Sequence, residues 1–343
     1  MPEVVGVIGA GSFGTAIANL LALNTRVLLY SRNAALVEQM NRTHRHLDVD
    51  LSPRITATNS LEEVASQCYL IFPVVPSENF REMMRDLSPY LRPYHILIHG
   101  TKGFDVSLRP GDADSPTLSR KQVHTMSEVI LQESVVVRIG CLSGPNLAKE
   151  IMDGQPTATV IASSFEEVFE KGKMVLSSKH FQVYGSSEIQ GAELAGALKN
   201  TIAIGSGILG GLGMGKNIQA LLITRGLMEM ISFGKAMGAS PKAFLGTAGI
   251  GDLICTATSS KSRNYTFGKR LGLGESVEAI KSSMPELAEG LRTLKVARQV
   301  AQHEKLQVPI TDMLYRVIYE GYDLERAIEF LMRYPYHVDV DFI

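Results

Sequence analysis

The chain has 343 residues, 45% hydrophobic and 20% charged, with a formal net charge of −1 at neutral pH. That composition is globular, and the length suits two domains of ordinary size, each able to bury its own core. It excludes a disordered or fibrous chain and gives no broad electrostatic reason to expect nucleic acid or an anionic membrane surface as partner, while leaving room for a local basic pocket that takes a small anion.

Cys68, Cys141 and Cys255 are widely spaced and form no C-x-x-C pair, so neither a disulfide framework nor a zinc site is expected. The eight histidines show no H-E-x-x-H pattern, and no metal site is read. No basic segment followed by an apolar stretch marks a secretory leader. The longest charge-free run of interest, between Lys199 and Lys216, is too short and too glycine-rich to span a bilayer and reads as a buried helix. The tail DVDFI carries no lipidation or retention motif. These readings predict a cytoplasmic protein without a membrane span.

In chain order, 4–9 is an apolar strand and 12–23 a helix. RVLLY (26–30), CYLIFPVV (68–75) and HILIHG (95–100) are further apolar runs suited to buried parallel strands, with helical stretches such as 77–90 between them. VVVRIGCLSG (135–144) and TATVIAS (157–163) extend the series. The polar, proline-containing segment 104–120 reads as a long surface loop or crossover. From about Glu188 onward no strand is expected, and helical patterns run over 188–209, 216–237, 275–283, 290–303 and 323–332. Alternating strands and helices imply right-handed crossovers and a mainly parallel sheet. The predicted fold is therefore α/β: a Rossmann-like dinucleotide-binding domain over 1–190, then an all-helical substrate-binding and catalytic domain over 191–343, with the boundary near 187–193.

The first helix opens on Gly9, Gly11 and Gly14, spaced G-x-G-x-x-G between a strand and a helix. In that context the first glycine allows the tight turn, the second lets the backbone approach a pyrophosphate, and the third lets helix and strand pack closely. The helix N-terminus offers unpaired N–H groups and partial positive charge to phosphates. The acid expected about 20 residues further on, to hold a ribose 2′-hydroxyl, is missing. The second strand instead ends LLYSRN, presenting Ser31 and Arg32. An arginine there accepts a 2′-phosphate or stacks on adenine, which favours NADP over NAD without excluding NAD.

Hydride exchange with a carbinol needs a group that takes the hydroxyl proton and returns it in reduction. No histidine sits in a suitable context, but GAELAGALKNTIA places Lys199 and Asn200 in a nearly uncharged helix, with Glu193 six residues before the lysine. A lysine on an apolar helix is costly unless paired, and desolvation lowers its pKa toward the range of an acid–base catalyst. A lysine that snorkels at a domain interface is the plainer alternative. Further on, GIGDLICTATSSKSRNYTFG sets Asp252 behind a glycine turn and then Ser262, Arg263 and Asn264, a donor cluster suited to a phosphate.

With these residues in hand, the chain resembles the NAD(P)-dependent sn-glycerol-3-phosphate dehydrogenases of the bacterial, soluble type. The resemblance rests on GAGSFGTAIA (9–18), VPS (75–77), GTKG (100–103), SGPNLAKEI (143–151), ELAGALKN (193–200), GIGDL (249–253), SRN (262–264) and AEGLRT (288–293), in the family's order and across nearly the whole chain. It implies interconversion of sn-glycerol 3-phosphate and dihydroxyacetone phosphate with NADP or NAD, a supply of glycerol 3-phosphate for glycerophospholipid synthesis, and Lys199 as the catalytic lysine. It also implies that Lys102 touches both cofactor and substrate. Gly144, Lys199, Asp252, Ser262, Arg263 and Asn264 match substrate contacts. Ser12, Phe13, Arg32, Ala148, Arg263 and Glu289 match positions around the dinucleotide. Two departures stand out: Phe13 replaces a frequent tryptophan, and Asn146 replaces a common serine or threonine. A related hydroxyacid dehydrogenase and a non-catalytic NADP-binding sensor are the competing readings; the GIGDL and SRN segments argue against the first and the joint presence of Lys199, Asp252, Arg263 and Asn264 against the second. The apolar helices of the second half suit a homodimer.

Overall fold

The computed structural model describes residues 3–107, 117–284 and 288–335. The middle of the expected 104–120 loop, residues 108–116, lies outside them. The chain forms two compact units, Met1–Asp105 with Thr125–Ile189, and Val106–His124 with Gln190–Ile343.

The first unit is built on an eight-stranded sheet in the order β12-β11-β10-β7-β6-β1-β2-β5. Its members are β1 (Val4–Ile8), β2 (Arg26–Tyr30), β5 (Ile55–Thr58), β6 (Leu70–Pro73), β7 (Ile96–His99), β10 (Arg138–Ser143), β11 (Thr157–Ala162) and β12 (Phe181–Ser186). A two-stranded hairpin, β3 (Arg45–His46) with β4 (Val49–Asp50), stands apart from it. All pairings in the large sheet are parallel except β10 with β11, which is antiparallel. Strands β1, β2, β6 and β7 are nearly continuous apolar runs because helices cover both sheet faces. Helices α1 (Ser12–Leu21), α2 (Ala34–Thr43), α3 (Leu61–Gln67), α4 (Ser77–Leu87), α5 (Met126–Glu133), α6 (Ala148–Met152) and α7 (Glu166–Leu176) connect them. The sheet runs outward from β1 in both directions, to β2 on one side and β6 on the other. In such sheets a ligand sits at the carboxyl ends of the strands at this switch point.

The two outer strands, β5 and β12, are absent from the sequence expectation. Burial alternates along Phe181, Gln182, Val183 and Tyr184 of β12, and β5 is a four-residue ITAT segment with two threonines, so neither shows the unbroken apolar run that marks a central strand.

In the second unit, helix α8 (Ile189–Gly211) is buried from Gly191 through Leu209. A helix that is apolar on all sides belongs at the centre of its domain. Around it lie α9 (Lys216–Ala236), α10 (Asp252–Thr258), α11 (Arg263–Gly272), α12 (Val277–Ser283), α13 (Glu289–Glu304), α14 (Pro309–Tyr319) and α15 (Leu324–Arg333). Among the described residues no strand follows β12. The glycines of α8 and α11 have a packing reason: a Cβ on Gly207 of α8 would lie 2.1 Å from the Tyr265 carbonyl oxygen, and one on Gly268 of α11 would lie 2.0 Å from that of Ile204. Helices α8 and α11 therefore touch backbone to backbone, which brings the SRN segment beside Lys199 and Asn200. The segment Val106–His124, which a single cut at residue 190 assigns to the first domain, clusters with the helical unit. It enters through β8 (Asp105–Val106) and leaves through β9 (Val123–His124). Arg120 anchors it, its Nε donating to the Met237 carbonyl at 3.3 Å.

Candidate active site

The dinucleotide loop joins β1 to α1. Gly9 has φ +116°, in the region that favours glycine, and a Cβ there would lie 2.8 Å from the Val74 carbonyl oxygen. A Cβ on Gly14 would lie 1.8 Å from the Gly9 carbonyl oxygen. Both positions therefore require glycine, and the resulting cradle of bare backbone fits a dinucleotide pyrophosphate. Gly11 is the N-cap of α1, and no side chain caps the helix. A helix N-terminus of this kind, here opening on Ser12 and Phe13, presents backbone N–H groups and partial positive charge to an anion. Arg32 is exposed beyond the end of β2 and has no carboxylate partner among the described residues. Helix α2 follows it with no acid in its first turn.

At the carboxyl ends of β7 and β10, Lys102 Nζ donates to the Gly144 carbonyl at 3.1 Å. Gly144 has φ +134°, in the region that favours glycine. The Phe13 ring packs on Gly100, where a Cβ would fall 2.7 Å from Phe13 Cε1. Asn146 Nδ2 donates to Thr159 Oγ1 at 2.8 Å, and Thr159 in turn donates to the Ser143 carbonyl at 3.0 Å. Thr159 thus takes up the donor side of the residue that departs from the family pattern. Ala148 opens α6, half-buried, four residues beyond Gly144.

In the helical unit, Lys199 is 5% exposed and Asp252 1%. Lys199 Nζ lies 2.5 Å from Asp252 Oδ1 and 2.5 Å from Thr256 Oγ1. The hydroxyl of Thr256 is 3.3 Å from the same Asp252 oxygen. Asp252 and Thr256 are one turn apart on α10, so both reach the lysine from one face. A π-helical turn, Thr247–Gly251, leads into Asp252; such turns frequently mark functional sites. Beside the lysine, Asn264 Nδ2 donates to Asn200 Oδ1 at 3.0 Å, and Asn264 Oδ1 accepts from the Gly290 N–H at 2.9 Å. That bond brings the first turn of α13, which begins at Glu289, onto the same cluster. Ser262 is the N-cap of α11 and Arg263 its first residue, exposed. No group of side chains among the described residues could hold a metal ion.

The N-terminal family model of the NAD-dependent glycerol-3-phosphate dehydrogenases matches residues 4–169, and the C-terminal model of the same family matches 188–329. The chain belongs to the NAD-dependent glycerol-3-phosphate dehydrogenase family. It is 42% identical over 346 residues to the glycerol-3-phosphate dehydrogenase [NAD(P)+] of Ectopseudomonas mendocina, covering 99% of this chain and 97% of that one. It is 39% identical to the enzyme of that name from Saccharophagus degradans, with 98% and 92% covered. Among solved structures, glycerol-3-phosphate dehydrogenase from Coxiella burnetii superposes with a TM-score of 0.86 at 30% identity, covering 96% of this chain and 99% of that one.

The names of the family and of these relatives support use of NAD or NADP. Residues that the family motifs mark divide between the units: Gly9, Gly11, Ser12, Phe13, Gly14, Arg32, Lys102, Gly144 and Ala148 in the first, and Lys199, Asp252, Ser262, Arg263, Asn264 and Glu289 in the second. Thr256 was not singled out from sequence. Its spacing of four residues from Asp252 within a helix is the signal that could have found it. No helix among the described residues is long and apolar enough to cross a membrane.

Proposed function

We propose that this chain reduces dihydroxyacetone phosphate to sn-glycerol 3-phosphate and catalyses the reverse oxidation, with NADP preferred to NAD. The observation that carries the reading is the buried Lys199 ammonium held between Asp252 and Thr256. Bound NAD(P)H supplies a hydride to the carbonyl carbon, and NAD(P)+ accepts it in reverse. As charge builds on the carbonyl oxygen, Lys199 stabilises it and donates a proton; in the oxidative direction the neutral amine takes the hydroxyl proton. Asp252 and Thr256 restrict the ammonium to one position.

Arg263 and the Ser262 and Asn264 side chains are the proposed phosphate contacts, with the α11 N-terminus adding its dipole. Phe13, Lys102, Ala148 and Glu289 are proposed cofactor contacts, Lys102 touching the substrate as well. Arg32 supports the preference for NADP, since a 2′-phosphate needs a cation and the segment Ser31-Arg32-Asn33 after β2 offers one in place of an acid. The product is the backbone unit of glycerophospholipids, which supports a role in supplying their synthesis. A cytoplasmic location belongs to the same reading. Exposed apolar side chains on the helical unit, such as Leu221 and Met332, support a homodimer.

The test is reduction of dihydroxyacetone phosphate followed by loss of reduced-nicotinamide absorbance, with NADPH and NADH in parallel. Arg263→Ala should lose about 3 kcal/mol of transition-state stabilisation on the phosphorylated substrate and little on dihydroxyacetone. Equal losses on both substrates would remove Arg263 from the phosphate site; no turnover with either cofactor would remove the reading itself.

A further inference from the structure

The hairpin of β3 and β4 is used by nothing described so far, yet it reaches the dinucleotide loop. His46 Nε2 lies 2.7 Å from the Ala10 carbonyl oxygen. We infer that His46 is a positioning residue for the cofactor loop: by holding the Ala10 carbonyl it aims the Gly11 N–H at the pyrophosphate. The inference rests on the family's use of NAD(P).

A carbonyl oxygen only accepts, so Nε2 carries a proton in either charge state of the ring. The peptide between Ala10 and Gly11 is planar and trans. Its C=O and N–H therefore point to opposite sides, and gripping the oxygen sets the direction of the Gly11 N–H. That grip is needed because the plane turns on the backbone torsions of Ala10 and Gly11, and the freedom of a glycine on one side would otherwise let it rotate. No side-chain cap at the start of α1 does the job instead.

The support behind the imidazole is firm. Asn19 of α1 donates to the Asp50 carbonyl at 3.1 Å and accepts from the Ser52 N–H at 2.9 Å. Leu51 is buried in the core of the first unit, and its N–H donates to the His44 carbonyl at 2.7 Å. The hairpin is thus tied to α1 near its last turn and to the loop just before its first. Its turn uses two consecutive left-handed residues, Leu47 at φ 50° and Asp48 at φ 60°, neither a glycine. This is the two-residue turn whose twist matches the paired strands, and it sets His46 opposite Val49. Strain of this kind persists where the surroundings over-determine the backbone, and it clusters at functional sites.

The test compares His46→Phe, which removes the donor, with His46→Gln, whose amide nitrogen stands near the position of Nε2. NADPH and NADH binding is titrated through the fluorescence of the reduced nicotinamide. His46→Phe should weaken both cofactors alike by about fivefold, the worth of one neutral hydrogen bond. His46→Gln should stay within about twofold of the parent, and turnover at saturating cofactor should change little in either variant. Parent-like affinity in His46→Phe would overturn the inference. So would a loss in His46→Gln equal to that in His46→Phe, which would make the ring's packing the cause. A loss confined to NADPH would overturn it too, by making His46 a reader of the 2′-phosphate. If His46→Phe does not fold, His46→Asn, whose amide stops short of Ala10, replaces it with the same expectation. Failure of the unaltered chain to bind either cofactor would instead count against NAD(P) use.

Discussion

Replacing Lys199 with methionine keeps the length and apolar stem of the side chain and removes its charge and proton. From sequence alone this looks silent to folding, because methionine suits an apolar helix. The structure reverses that expectation. Asp252 is 1% exposed and paired with the lysine at 2.5 Å. Without the ammonium, a buried carboxylate keeps Thr256 as a neutral donor and must either remain charged in a poor solvent or take up a proton. Breaking a buried pair by removing one partner costs about 3–5 kcal/mol. Protonating an ordinary carboxylate at pH 7 costs about 4 kcal/mol, from roughly three pKa units at about 1.4 kcal/mol each. The two routes agree, so Lys199→Met should destabilise the helical unit by about 4 kcal/mol. Adding Asp252→Asn removes the stranded charge and should restore all but about 1–2 kcal/mol, since a neutral amide can still accept from Thr256. Turnover should behave differently. Lys199→Met and the double variant should both fall by about 10²-fold or more, the range for loss of acid–base catalysis. Denaturant unfolding of the two single variants and the double, beside dihydroxyacetone phosphate reduction by each, separates the two roles. A Lys199→Met protein as stable as its parent, or a double variant no more stable than Lys199→Met, would refute the buried-pair argument. Near-normal turnover in Lys199→Met would refute the catalytic one.

Other residues carry equally concrete expectations. Arg32→Ala should weaken NADPH by about tenfold or more while leaving NADH nearly unchanged, since a charge-assisted contact to the 2′-phosphate is worth about 1.5–3 kcal/mol; equal losses in a binding titration would reduce Arg32 to an adenine stack. Gly100→Ala puts a Cβ 2.7 Å from Phe13 Cε1 and 3.1 Å from Val74 Cγ1, so cofactor affinity should fall and Phe13→Leu should restore part of it; additive losses would contradict the steric account. Glu229 is wholly buried, accepting from the Ile310 and Thr311 N–H groups and the Thr311 hydroxyl, and desolvation pushes its carboxyl up to about 7. The folded state then binds this proton more tightly than the unfolded chain. The contribution is full below the ordinary carboxylate range and lost as pH rises to about 7, at up to about 1.4 kcal/mol per pH unit. The stability of the parent relative to Glu229→Gln should therefore decline from pH 5 to pH 7.5, and a difference that stays flat or rises would contradict the shift.

Elements whose information is local were legible in the sequence. The strands β1, β2, β6 and β7 are apolar runs because they are covered on both faces, and the glycine spacing at Gly9, Gly11 and Gly14 declares itself because bare backbone is the only thing that fits there. Helix α8 announced its central place by lacking a polar face, and Lys199 stood out as the charge that such a helix does not tolerate alone. Edge strand β12 was hidden by its half-exposed alternation and β5 by its brevity and its two threonines, and the antiparallel turn of β11 against β10 leaves no periodic trace. Only the tertiary structure decided the pairings across long stretches of chain. Lys199 meets Asp252 and Thr256 from 53 and 57 residues away, and His46 meets Ala10 from 36. The glycines of α8 also acquired their meaning only when α11 lay against them. Periodicity reports how one segment meets water and its own neighbours in the chain; which distant group then satisfies a buried charge or a loop carbonyl depends on how the packed elements are oriented, and that is settled by the fold as a whole.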